Sequence, residues 1–320
     1  MRIAFLGTPE FAVPSLRMLI AEGHELAVFT QPDRPKDRGH ALAMPAVKLA
    51  ALEAGIPVYQ FEKIRLPEGV EALAAFMPDL VVTAAFGQLL SAENLAVPKY
   101  GTVNVHGSLL PKYRGASPIQ TAIIEGVGET GVTTMLTSLG MDTGDILLAA
   151  KTPIGENETY GELYSRLAEL GAELLKETIA RIETGTLEPV PQDDALATRC
   201  RPIKKQDAEI DFSLPSKRIH DLVRGLNPAP TAFARLGEAN IRIHRTQLIP
   251  QQEQLFEKFT SAAPGECVIA SPKQGLIVRT GDGFIGIAEL QFPGGKRLEA
   301  KAAMNGKKLL GCRFEQKQEV

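Results

Sequence analysis

Asn104 and His106 stand two residues apart in Thr102-Val103-Asn104-Val105-His106, an alternation that turns the valines to one side of a strand and the carboxamide and imidazole to the other. An imidazole, with a reference pKa of about 6.5, takes and returns a proton near neutrality. A carboxamide offers an uncharged N–H that stabilises charge developing on a carbonyl oxygen. Gly107, Ser108, Pro111 and Gly115 follow and do not suit a continuing strand, so the chain should turn there and bring backbone N–H groups to the strand's end. A carboxylate to orient the imidazole or move its proton would complete such a group. One is available in Leu139-Gly140-Met141-Asp142-Thr143-Gly144-Asp145, where Asp142 lies thirty-six positions beyond His106. On spacing alone, Asp142 and Asp145 serve equally as builders of a tight turn. A strand histidine taken alone is more often structural than catalytic.

The elements that must carry these residues are readable in the apolar pattern. Strand-length runs near 2–6, 25–29, 79–84, 101–106 and 146–150 alternate with helical patterns near 10–22, 45–54, 68–76 and 116–125, followed by the leucine repeat Leu163, Leu167, Leu170, Leu174 and Ile179. This alternation predicts an α/β fold, a doubly wound, mostly parallel sheet with helices on both faces. In such sheets ligands sit beyond the carboxyl ends of the strands. Asn104 and His106 lie at such an end, as do Gly7-Thr8-Pro9 and Ala85-Phe86-Gly87-Gln88. The Gly7 turn lacks GxGxxG, which argues against a nicotinamide site.

Between the second strand and its helix, Gln31-Pro32-Asp33-Arg34-Pro35-Lys36-Asp37-Arg38-Gly39-His40 carries four basic or potentially basic side chains among breakers, and reads as an exposed, mobile loop. From about Gly185 to Gln206, periodicity gives way to Pro189, Pro191 and Pro202 with Arg199, Arg201, Lys204 and Lys205, the pattern of a basic linker. We therefore expect a catalytic domain at 1–188, a linker at 189–206 and a second domain at 207–320. Short apolar runs at 241–248, 267–270, 275–280 and 284–290 between Gly and Pro turns make that second domain β-rich. Residues 206–320 carry a net charge of +3 and residues 1–205 a net of −6, a bias that suits an auxiliary phosphate-facing surface better than a dedicated nucleic-acid binder. The three cysteines, Cys200, Cys267 and Cys312, have neither metal-site nor disulfide-framework spacing, which fits a reducing, cytoplasmic setting. The N-terminal apolar run is cut by Gly7 and Pro9 too soon for a signal peptide or a membrane span.

Asn104-x-His106, Ser108-Leu109-Leu110-Pro111, Gly115 and Asp142 together resemble the signature of the formyltransferases that use 10-formyltetrahydrofolate. Leu6-Gly7-Thr8-Pro9-Glu10-Phe11-Ala12, Thr30-Gln31-Pro32-Asp33-Arg34-Pro35 and Leu226-Asn227-Pro228 are similar, more narrowly, to the branch of that family whose acceptor is methionine carried on initiator tRNA. The similarity runs over nearly the whole chain. It implies a Rossmann-like formyltransferase domain followed by a small OB-like barrel, acting as a monomer on 10-formyltetrahydrofolate and initiator methionyl-tRNA without a metal. It further implies that Asn104, His106 and Asp142 are catalytic, and that Ser108, Leu109, Leu110 and Pro111 with Phe86, Gly87 and Gln88 line the folate site. Arg34, Lys36 and Arg38 on the loop and Arg199, Arg201, Lys204 and Lys205 on the linker would meet tRNA. His40 and Ala41 stand where relatives carry lysines, and Ala229 where they carry an aromatic residue, so backbone contacts are expected in place of base stacking. Other formyltransferases with a ribonucleotide-amine or nucleotide-sugar acceptor share the motif. A tRNA-binding protein without catalysis would leave Asn104, His106 and Asp142 without a task.

Overall fold

Arg2-Ile3-Ala4-Phe5-Leu6-Gly7 is apolar almost without interruption, as a strand covered on both faces requires, and forms β1 (Arg2–Gly7) in the interior of the main sheet. The computed structural model describes residues 1–36, 41–250 and 252–315, with the backbone alone at Lys36 and Ala41. These residues fall into two compact units. The first comprises Met1–Pro118, Glu129–Pro153 and Tyr164–Arg201, and the second comprises Ile119–Gly128, Ile154–Leu163 and the chain from Pro202 onward. Among the described residues no helix is long and apolar enough to cross a membrane.

In chain order the first unit contributes α1 (Val13–Ala21), β2 (Glu25–Thr30), β3 (Arg34–Lys36), β4 (Ala41–Ala43), α2 (Ala46–Glu53), β5 (Val58–Gln60), α3 (Pro67–Phe76), β6 (Leu80–Ala84), α4 (Ala92–Ala96), β7 (Thr102–His106) and β8 (Arg114–Gly115). After α5 (Pro118–Glu125) come β9 (Glu129–Leu136), β10 (Ile146–Pro153), α6 (Tyr160–Thr184) and β11 (Arg199–Cys200). The main sheet has the order β10-β9-β7-β6-β1-β2-β5. β5, β2, β1, β6 and β7 are parallel, while β9 runs antiparallel to both β7 and β10. The chain leaves β1 towards β2 and β5, then returns to the other side of β1 with β6. The space beyond the carboxyl ends of β1 and β6 is thus a topological switch point, where open α/β sheets bind ligands.

The two faces of the sheet differ at this end. On one, Val103 and Val105 are buried, and α6 packs so closely that a Cβ added at Gly171 would come within 2.8 Å of Val105 Cγ1. On the other, Ala4, Leu6, Ala27, Phe29 and Val81 form a core with Ile64 and Leu73, each large side chain worth about 1.5–3 kcal/mol of burial. The pairing of Val81 with Thr102 and Thr83 with Asn104 puts Asn104 and His106 on this second face, at its carboxyl end.

In the second unit, α7 (Ser216–Gly225) precedes β12 (Ala232–Leu236), β13 (Ala239–Leu248), β14 (Cys267–Ser271), β15 (Gly275–Arg279), β16 (Phe284–Gln291) and β17 (Arg297–Glu299). The antiparallel order is β12-β13-β16-β15-β14, with β17 beside β16. Residues 311–315 join the two edges. Cys267 N–H donates to Cys312 O and Phe314 N–H to Gly265 O on the β14 side, while Glu315 N–H donates to Arg235 O of β12. The sheet therefore closes on itself around Phe212, Ile243, Val278, Ile285 and Phe314, a barrel that leaves no long free edge.

The segment read as a basic linker is tied to the first unit over part of its length. Thr198 to Cys200 pairs with the loop after β7, through β11 against β8, with Arg114 N–H donating to Thr198 O at 2.9 Å and Ala116 N–H to Cys200 O at 3.1 Å. The loop expected at 31–40 also has more order than its breakers suggest, since Arg34, Pro35 and Lys36 pair antiparallel with Ala43, Leu42 and Ala41. Asp37 to His40 lie outside the described residues.

Candidate active site

His106 ends β7 with its ring only 6% exposed and an acceptor facing each nitrogen. Its Nε2 lies 3.0 Å from Tyr113 O, so an Nε2–H donates there. Its Nδ1 faces Asp142 Oδ2 at 3.7 Å, beyond a hydrogen bond but close for an ion pair. Asp142 Oδ2 also accepts the Gly115 N–H at 2.8 Å. The turn from β9 to β10 places this carboxylate by a left-handed corner at Asp142, φ 54, a conformation that Asp tolerates better than most residues. The same residue thus builds the turn and faces the imidazole.

Asn104 is held by its other end. Thr83 Oγ1 donates to Asn104 Oδ1 at 2.9 Å, which fixes the amide and directs Nδ2 away from the sheet. Among the described residues Nδ2 has no hydrogen-bond acceptor, and Asn104 is half-buried, so an uncharged donor is presented at the strand's end beside His106. Such a donor is preorganised for a developing oxyanion.

The turn after β7 is fastened from three sides. Ser108 is fully buried, and its hydroxyl donates to Lys112 O at 2.7 Å while its carbonyl accepts from Thr133 Oγ1 at 2.7 Å. Leu110 is buried and its N–H donates to Thr133 Oγ1 at 3.2 Å. Ser108 and Leu110 therefore brace this turn from within, while Leu109 and Pro111 are half-buried. Tyr113, at φ 59, donates its N–H to Thr198 Oγ1 at 2.8 Å and so keeps its carbonyl on His106. At Gly115 only glycine fits, because φ is 123° and a Cβ would stand 2.2 Å from Cys200 O. Thr198 and Cys200 escaped the sequence reading: their partners lie 85 or more residues away in the chain, and no local pattern marks them.

Phe86, Gly87 and Gln88 occupy the switch point. Phe86 is buried in the core of that face, and its carbonyl accepts from Thr8 Oγ1 at 2.9 Å and Gln31 Nε2 at 3.3 Å. Gln31 Nε2 also donates to Gly87 O at 3.0 Å. Gln88 Oε1 accepts from Ile64 N–H and its Nε2 donates to Phe61 O, each at 2.7 Å, so the side chain clamps the 61–64 segment. Exposed Ala85, at φ 44, and Gly87 remain as backbone surface.

Of the residues expected to meet tRNA, Arg34, Arg199, Arg201, Lys204 and Lys205 are all exposed. Arg34 pairs with Glu62 at 2.6 Å, both mostly solvated, a contact that phosphate can displace at small cost. The Lys36 side chain and Arg38 lie outside the described residues. Lys205 lines a cavity of about 570 Å³ in the second unit with Phe233, Arg242 and Phe292. That cavity is separate from Asn104, His106 and Asp142.

A sheet of this topology gathers an amide, an imidazole and a carboxylate at its carboxyl end, and the sequence comparisons give the class: the chain belongs to the formyl transferase family. Residues 1–179 match the pattern described as Formyl transferase, and residues 202–308 match its C-terminal domain. Over 310 residues the chain is 47% identical to the methionyl-tRNA formyltransferase of Ruminiclostridium cellulolyticum, covering 97% of each chain. It is also 47% identical to the methionyl-tRNA formyltransferase of Citrifermentans bemidjiense, covering 97% of this chain and 94% of that one. Among solved structures, the fold is shared with the sugar 3N-formyl transferase WlaRD, at a TM-score of 0.66 and 21% identity over 92% of this chain and 99% of that one. It is shared as well with HypX from Aquifex aeolicus, solved with tetrahydrofolic acid, at a TM-score of 0.65 and 18% identity over 95% of this chain and 47% of that longer one.

Proposed function

We propose that this protein transfers the formyl group of 10-formyltetrahydrofolate to the α-amino group of methionine carried on initiator tRNA, with Asn104, His106 and Asp142 as its catalytic residues. The observation that carries the reading is the convergence of an open carboxamide N–H with a carboxylate-paired imidazole at the ligand-binding end of the sheet. Near-full-length identity to methionyl-tRNA formyltransferases supports the choice of acceptor.

An α-amino group, with a reference pKa near 7.7, is partly neutral at neutral pH and can attack. The amine nitrogen bonds to the formyl carbon, the carbonyl electrons move to oxygen, and an oxyanion and an ammonium result. Asn104 Nδ2 donates to the oxyanion. With its Nε2–H on Tyr113 O, the neutral ring keeps Nδ1 free to accept the amine proton, and Asp142 at 3.7 Å stabilises the imidazolium that forms. Collapse of the intermediate breaks the bond to the folate nitrogen, which leaves with the proton returned by the His106 imidazolium, and the formylated methionyl-tRNA remains. Leu109, Pro111 and the Ala85–Gly87 backbone form the surface for the flat parts of the donor. The exposed basic side chains from Arg34 and from 199–205 face phosphate, and a cytoplasmic setting accords with a role in translation initiation.

The test supplies radiolabelled formyl donor with three acceptors in parallel: charged initiator tRNA, a ribonucleotide amine and a nucleotide amino sugar. Label in the tRNA fraction alone is expected. Transfer to either small acceptor at a comparable rate overturns the choice of acceptor, and no transfer to any of them overturns catalysis.

A further inference from the structure

Gln192 sits in the proline-flanked stretch Pro191-Gln192-Asp193 of the strap that continues into β11, and its amide has no hydrogen-bonding capacity left. Nε2 donates to Asp142 O at 2.9 Å and to Gly144 O at 2.7 Å. Oε1 accepts from Arg114 Nε at 3.0 Å and from Arg114 Nη2 at 2.8 Å. Two donors and two lone pairs are thereby all used. The four bonds join the two loops that flank His106. Arg114 lies between Tyr113, whose carbonyl holds His106 Nε2, and Gly115, whose N–H holds Asp142 Oδ2. The Arg114 guanidinium is buried, and its second anchor is Asp194 Oδ1 at 2.8 Å, two residues beyond Gln192 on the same strap.

We infer that Gln192 is a positioning residue for the formyl-transfer reaction, setting the distance between Asp142 and His106; the inference rests on the function proposed above. The bond that matters is the one to Asp142 O. Asp142 is held at φ 54 with its carboxylate 3.7 Å from the imidazole, and its own carbonyl is pinned by Gln192. A rotation of that peptide moves the carboxylate relative to the ring. Displacement of a catalytic group by about 1 Å costs on the order of 10²-fold in rate. Gln192 touches neither substrate nor His106, so its influence runs through Asp142 and through the loop at Arg114.

Gln192→Glu separates these two connections. The substitution is isosteric and keeps an oxygen on Arg114, now as an ion pair, but it removes both N–H donors and sets a carboxylate oxygen against the carbonyls of Asp142 and Gly144. Gln192→Ala removes both connections. At saturating donor and charged tRNA, both variants should lose on the order of 10²-fold in kcat. The donor Kd should stay within about threefold, and the pH midpoint of kcat should shift. In an Asp142→Asn background, Gln192→Glu should cost less than about threefold more, because the charge it positions is gone. A Gln192→Glu enzyme with near wild-type kcat and an unmoved pH midpoint overturns the inference and leaves Gln192 as packing for Arg114. Equal losses with and without the Asp142 charge also overturn it. If wild type itself formylates no tRNA in the same assay, the failure belongs to the proposed reaction, not to Gln192.

Discussion

Asp142→Asn tests whether the carboxylate acts by its charge or only by its place in the turn. Asparagine matches aspartate in shape, tolerates the left-handed backbone at φ 54, and can turn its oxygen to the Gly115 N–H, so the 2.8 Å bond and the turn survive. What is lost is the negative charge 3.7 Å from His106 Nδ1. At an effective dielectric of about 20, an imidazolium and a carboxylate at that distance attract by about 4 kcal/mol. The Asp142 side chain retains 16% exposure, which screens part of this, and a tenfold change in rate corresponds to about 1.4 kcal/mol. The expected loss in kcat is therefore roughly 10²–10³-fold. Donor Kd and unfolding midpoint should remain close to wild type. The assay is single-turnover transfer to charged initiator tRNA at saturating enzyme, with the donor Kd measured separately by fluorescence. A rate within tenfold of wild type would refute the charge argument, and a large drop in the unfolding midpoint would show that the turn had been disturbed instead.

Asn104→Ala removes the open Nδ2 donor and should lower kcat by roughly 10²–10³-fold without weakening donor binding, whereas a change confined to KM would assign Asn104 to binding. His220 is buried between Thr246 Oγ1 and Glu156 O, and burial holds its imidazole below its ordinary value. Since the unfolded chain then binds the proton more readily, stability is full above about pH 6.5 and falls as the pH drops towards the lowered folded value. Urea midpoints at pH 7.5 and 5.5 should show this fall, and His220→Gln, which can keep both partners, should flatten it; an unchanged slope would exclude His220 as its source. Arg38→Ala should weaken charged-tRNA use and reduce its salt slope by about one while leaving donor binding unchanged, and identical kinetics across a salt series would remove the loop from tRNA contact.

How much of this was readable in advance depended on whether local pattern or distant pairing decided the outcome. β1, β2 and β6 fall within apolar runs because both faces of those strands are covered, and a covered strand has to be apolar. β9 lies at the same depth but reads Glu-Thr-Gly-Val-Thr-Thr-Met-Leu, and no strand was expected there. Its buried Thr133 and Thr134 hydroxyls are satisfied by Ser108 O, by Thr178 and by backbone across the sheet, contacts that no hydropathy pattern contains. Asn104 and His106 were legible because strand alternation has a fixed period and both faced the ligand end. Asp142 was legible as an acidic turn, but only the loop carrying Gly115 makes it the neighbour of His106.

The strap from Gln192 to Cys200 shows why a composition reading fails at this kind of site. Exposed charge and absent periodicity are properties of a tether, and this segment, between Pro191 and Pro202, has both. Its backbone nonetheless pairs with the turn after β7 at Arg114 and Gly115, and its side chains hold Tyr113 and Arg114. A turn that places a carbonyl on one side of an imidazole and an N–H on a carboxylate at the other has few apolar contacts of its own. It needs partners from outside, since two of its residues, Tyr113 and Gly115, adopt positive φ. The irregular backbone that suits Thr198 and Cys200 to meet those strained residues also removes the periodicity by which a strand is recognised. Substitutions along the strap should therefore act on transfer kinetics through Tyr113, Arg114 and Gly115, even where they lie far in sequence from Asn104, His106 and Asp142.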